Sequence, residues 1–82
     1  MRLTELKTKQ PATINQIYHL NRPEDGSEDG IATRLMSLGF VPGEKVEVLT
    51  RGLFGGEPIL VKVGFSRFAL RRNEADRIEV NI

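Results

Sequence analysis

No cysteine occurs in this chain, which excludes disulfides, thiolate nucleophiles and sulfur-ligated zinc. A small extracellular domain is usually stapled by disulfides, so their absence fits a reducing, cytoplasmic setting. Histidine is nearly absent too, with His19 the only one. Charge of one sign is also lacking: twelve Lys and Arg stand against eleven Asp and Glu, for a formal net charge of +1. No strong field follows, and bulk attraction to nucleic acid or an anionic bilayer is not expected. Long apolar runs are missing as well. None extends towards the ~20 residues that span a bilayer, and Met1-Arg2-Leu3-Thr4-Glu5-Leu6-Lys7 does not read as a signal peptide. No membrane insertion is expected.

What is present suits one small globular domain, residues 1–82, at 39% hydrophobic and 28% charged. A chain of this size buries roughly 60% of its unfolded surface, so its core is thin and a deep pocket is not expected. Turn residues cut it into short pieces. Leu3 to Leu6 can form one helical turn with Thr4 as cap. Thr13 to Leu20 reads as a strand, with the three-residue spacing of Ile14 and Ile17 suggesting a bulge. After a polar loop, Ser27 can cap a helix whose first turn carries Glu28 and Asp29 and whose apolar face is Ile31, Leu35 and Leu38. Gly39 sits where a left-handed C-terminal residue is wanted, and Phe40 can fold back on the last turn. Val41-Pro42-Gly43-Glu44 reads as a type II turn. Beyond it, Lys45 to Val48, Ile59 to Val63, Arg67 to Arg71 and Arg77 to Ile82 alternate as strands. A turn at Asn73 to Asp76 precedes the last of them. The expected fold is mostly β: a small SH3-like barrel of about five strands with one short helix inserted after the first strand. An open α+β sheet is the alternative.

Several runs carry a family resemblance. Arg34-Leu35-Met36-Ser37-Leu38-Gly39-Phe40-Val41-Pro42-Gly43 resembles the "RL-x-x-LG-(hydrophobic)-x-PG" signature of the FeoA family. Gly56, Pro58, Val61 and Val63 resemble its "G-x-P-x-x-V-x-V" hairpin. Ala69-Leu70-Arg71, Glu74-Ala75, Ile78 and Val80 resemble its closing segment, and Leu3, Leu6, Ile14 and Ile17 its opening. Lys9 and Ala12 stand where that family often has glycine, which suggests a differently shaped first turn. The C-terminal domain of iron- or manganese-dependent repressors is also similar. The resemblance implies a bacterial accessory of ferrous-iron uptake that contacts the cytosolic region of a FeoB-type membrane transporter. Such a protein is cytoplasmic, and peripheral to the inner membrane only through its partner. The alternative is a stand-alone metal-responsive domain related to those repressors.

Catalysis finds little material. No nucleophile and base are suitably spaced, and Gly52-Leu53-Phe54-Gly55-Gly56 runs into Glu57-Pro58 instead of the lysine and helix of a phosphate loop. No enzyme and no resident cofactor are expected. His19 with Glu24, Asp25 and Glu28 offers hard ligands for a weak divalent-metal site, although acids at a loop and a helix start also serve as solvated charge and dipole partners. Arg67, Arg71, Arg72 and Arg77 cluster without interleaved stacking aromatics, because Phe68 falls on the apolar phase of its strand. The favoured surface is the hairpin tip. Leu53 and Phe54, flanked by glycines and with Arg51 beside them, are candidate contacts for a partner or a second copy. The bland reading is that the tip folds back over a barrel end. Arg34 or Arg51 could also be supplied to the transporter's G-protein domain to speed nucleotide hydrolysis.

Overall fold

The structure is a computed structural model that describes residues 1–19 and 30–82. An N-terminal 3-10 turn, Leu3–Glu5, leads into strand β1, Pro11–Ile17, and helix α1, Gly30–Ser37. Strands β2, Lys45–Gly52, β3, Gly56–Val63, and β4, Ser66–Leu70, follow as a meander. The short helix α2, Arg72–Ala75, then leads to β5, Ile78–Asn81. The strands form a single antiparallel sheet in the order β4-β3-β2-β1-β5.

Each strand turns alternate residues inward. Ala12 and Ile14 of β1, Val46 and Val48 of β2, Ile59, Val61 and Val63 of β3, and Ile78 and Val80 of β5 are buried together with Leu3, Leu35 and Phe40. Register shifts between Ile14 and Gln16, between Val48 and Thr50 and between Arg51 and Gly52 mark irregularities that bend their strands and increase the local twist. The first of these is the bulge expected from the spacing of Ile14 and Ile17, while the strand ends at Ile17 and not at Leu20.

Helix α1 caps the core with Ala32 and Leu35 buried and with Ile31 and Leu38 packed on it. Its end is set by two hydrogen bonds: Phe40 N–H donates to Leu35 C=O at 3.0 Å, and Gly39 N–H to Met36 C=O at 3.1 Å. That is a Schellman stop, and it drives Phe40 fully into the core. Glu44 N–H then donates to Val41 C=O at 3.1 Å with Gly43 at φ 92°, the type II turn expected there. The expected cap Ser27 and the first-turn acids Glu28 and Asp29 lie outside the described residues.

The first helical turn is secured differently from expectation. Thr4 is not its cap: the Thr4 hydroxyl donates to Asp76 Oδ1 at 2.7 Å, while Arg2 N–H donates to Glu5 Oε1 at 2.7 Å. Lys9 takes a left-handed φ of 66°, so the first turn uses a backbone state that glycine favours without having glycine.

Candidate functional site

The β2–β3 tip is built by glycines for two distinct reasons. A Cβ on Gly52 would lie 2.0 Å from the Glu57 carbonyl oxygen, so only glycine lets the two strands close at this point. Gly55 and Gly56 take φ 65° and 85°, and Glu57 N–H donates to Phe54 C=O at 3.1 Å. Two successive positive φ values inside a four-residue turn are the mark of type I′, the turn whose twist matches a hairpin. Arg72 Nη2 donates to Gly55 C=O at 2.8 Å, and Arg72 N–H is taken by Glu57 Oε1. The tip is therefore a hydrogen-bonded turn tied to α2.

On this fixed turn the apolar side chains stand in solvent. Leu53 is 97% exposed and Phe54 86%. The tip does not fold back over a barrel end. Sequence reasoning missed a second apolar point, Phe65, which is fully exposed in the two-residue turn between β3 and β4. The signal was present: Gly64-Phe65 separates strands that both alternate, so the second turn residue has no inward direction to take. Phe65 and the tip stand at opposite ends of β3 and do not form one patch.

Arg51 belongs elsewhere. Its Nη2 donates to Leu6 C=O at 2.7 Å and Thr4 C=O at 3.0 Å, so the guanidinium pins the N-terminal turn against β2 and is not a free cation beside the tip. Arg34, the other arginine considered for supply to a G-protein domain, pairs with Glu74 across a shallow cleft of about 510 Å³ lined by Ile31, Pro58 and Leu70 among others. The arginines of the last third are also dispersed: Arg77 is buried, Arg72 holds the tip, and Phe68 packs on Phe40 at 5.9 Å between ring centroids.

A polar latch closes the N-terminal side. Tyr18 donates its hydroxyl to Glu79 Oε2 at 2.6 Å, and Glu79 Oε1 lies 3.1 Å from the Met1 ammonium. Arg2 lies over the Tyr18 ring at 4.1 Å and also donates to Asp76 C=O. The Tyr18 hydrogen bond and the ammonium hold the Glu79 carboxyl below its ordinary pKa, and the same hydrogen bond raises the Tyr18 phenol above its own.

Among the described residues, no group of three or more His, Asp or Glu side chains converges. His19 is exposed just past β1. Its expected companions Glu24, Asp25 and Glu28 lie outside the described residues. No helix among the described residues is long and apolar enough to cross a membrane.

A curled five-stranded antiparallel sheet with exposed hairpin tips defines a small SH3-like protein. The FeoA domain model matches residues 1–82, and the chain belongs to the FeoA family. The Stenotrophomonas maltophilia FeoA crystallised with zinc, described as a procaryotic SH3 domain protein, is 46% identical over 99% of this chain and 89% of its own, with a TM-score of 0.84. FeoA from Chlorobium tepidum is 36% identical over 100% of this chain and 70% of its own, with a TM-score of 0.77. A manganese-dependent transcriptional repressor shares the fold at 19% identity, with a TM-score of 0.74 over 95% of this chain and 39% of its own. No curated protein matches the chain. The family is linked to ferrous-iron transport, and iron transport is the setting in which the tip is to be read.

Proposed function

We propose that this protein is a cytosolic, non-catalytic accessory of ferrous-iron uptake that docks on the cytosolic region of a FeoB-type transporter, with Leu53 and Phe54 as the apolar anchors. The observation that carries the reading is the tip: two large apolar side chains held in water on a glycine-built, arginine-tied turn. Exposed apolar groups of this size mark contact surfaces. A turn tied by its own hydrogen bonds has less conformational freedom to lose on docking, so more of the buried area appears as affinity. Membership of the FeoA family supplies the process, and the Stenotrophomonas maltophilia relative is described in connection with ferrous iron transport activation.

The test is capture of the transporter's purified cytosolic region by wild type and by Leu53→Asp/Phe54→Asp. Wild type is expected to retain it and the variant to lose it. Equal retention would remove the tip from the mechanism.

A second reading is a metal-responsive domain using His19 with carboxylates at 24, 25 and 28. What favours it is the relative crystallised with zinc. Anaerobic calorimetry with ferrous or manganous ion is the check. Heat that is present in wild type and lost in His19→Ala supports it; no heat, or heat unchanged by the substitution, rules it out.

A further inference from the structure

We propose that the outer edge of β4 is a separate docking site, which takes an extended acidic polypeptide segment of a partner as an added strand. The two edges of the sheet are not equivalent. Beyond β5 the edge is covered, because Arg2 bridges to Glu79 and Val80 N–H donates to Met1 C=O at 2.7 Å. Strand β4 pairs with β3 alone among the described residues.

Turn geometry then fixes which groups face outward. A two-residue turn at Gly64-Phe65 makes Val63 and Ser66 a hydrogen-bonded pair, and such pairs alternate along an antiparallel ladder. Val61 with Phe68 and Ile59 with Leu70 are therefore bonded to each other, while Arg67 and Ala69 aim their N–H and C=O groups away from β3. The next outward residue is Arg71, whose N–H is already taken by Glu74 Oε1 at 2.9 Å. The open stretch is thus bounded, with that cap at one end and the exposed Phe65 ring at the other.

Charge selects the occupant. Glu47 of β2 stands opposite Lys62 of β3, and Lys62 stands opposite Arg67 of β4. Two cations directly opposite on adjacent strands repel. Glu47 offsets only the first, and among the described residues no ion pair engages Arg67. The row runs minus, plus, plus, and then stops at the edge. A carboxylate on an added strand completes it, and Phe65 offers that strand an apolar contact. Pairing β4 with β4 of a second copy instead places both copies' Lys62 and Arg67 on one interface. A lone edge cation also serves as a guard against strand addition of any kind. Guard and acid-selective dock differ in what they do when an acidic strand is supplied.

The experiment is an amide chemical-shift titration of the full chain with a capped octapeptide of alternating threonine and glutamate. Its threonine–lysine counterpart and a version N-methylated at alternate amides complete the set. Saturable shifts centred on residues 65–71 are expected with the acidic peptide alone. Arg67→Glu is expected to weaken it by about fivefold, the upper end for an exposed pair, and to reverse the preference between the two peptides. Ala69→Pro, which removes an outward N–H that β3 does not use, is expected to abolish binding with the fold intact. Leu53→Asp/Phe54→Asp is expected to bind the acidic peptide as wild type does, so this site and the tip stand or fall separately. No saturable shift, equal binding of both peptides, retained binding of the N-methylated peptide, or concentration-dependent self-association through the same residues would overturn the proposal.

Discussion

The β2–β3 tip and the N-terminal latch solve opposite problems. At the latch every polar side chain is spent inside the molecule: Thr4 on Asp76, Tyr18 on Glu79, and Arg51 on the carbonyls of Thr4 and Leu6. At the tip the backbone is tied as well, by Arg72 and a glycine turn, yet Leu53 and Phe54 touch almost nothing. Rigidity alone therefore does not mark a functional region. The docking proposal rests on the exposed apolar surface that this held turn presents. Arg51 makes the point at the level of one residue, because it adjoins the tip in sequence and belongs to the latch in space.

If this contrast is right, latch substitutions cost stability and tip substitutions cost partner binding. The largest expected effect is at the hinge between tip and sheet. Gly52→Ala forces a Cβ against the Glu57 carbonyl and is expected to cost about 3 kcal/mol, the upper end for overpacking. Chemical unfolding reads it, and a loss below about 0.5 kcal/mol, the ordinary surface range, would show that the strands have room to part. Next is Arg51→Met, which keeps much of the stem but strips charged donors from two carbonyls. It is expected to cost about 2 kcal/mol, with partner capture intact once folded. Loss of capture at unchanged stability would move Arg51 back to the docking surface.

The latch also has a pH signature. Glu79 ionises more readily in the folded state than in the unfolded chain, where its ordinary value is 4.5. Its contribution is complete above that value and fades as the pH falls through the lowered one. Glu79→Gln is expected to lower Tm at neutral pH and to flatten the acid limb of the Tm-against-pH curve below about 4.5. An acid limb parallel to that of wild type would place the acid sensitivity elsewhere. Lys9→Gly relieves a left-handed lysine and is expected to gain about 0.5–1 kcal/mol after the entropy of the added glycine is deducted. A loss instead would mean that the Lys9 side chain contributes contacts worth more than the strain. Smallest is Leu53→Asp/Phe54→Asp, expected to change stability by less than about 0.5 kcal/mol because neither side chain packs on the core.

Features governed by near neighbours were legible in the sequence. Gly39 with Phe40 gave the helix stop, Pro42 with Gly43 the type II turn, and the spacing of Ile14 and Ile17 the bulge, since each depends on residues within a few positions. The partners of Thr4 and Arg51 were not legible. Asp76 lies 72 positions from Thr4, and Leu6 lies 45 from Arg51, and no local pattern encodes such a pairing. The tip was half legible. Its exposure followed from alternation, whereas its fixed shape depended on reading Gly55-Gly56 as a type I′ turn and on Arg72 arriving from α2. Phe65 was readable from its place in the two-residue turn, since the alternating strands on either side take up the inward positions.

The central claim is that the exposed tip is a docking anchor which the fold itself does not need. Its most direct test is a binding titration of the transporter's cytosolic region against wild type and Leu53→Asp/Phe54→Asp, with thermal unfolding measured on the same samples. The expected result is coincident melting curves with binding lost in the variant. Matching binding curves for the two proteins, or a variant that has lost its fold, would contradict it.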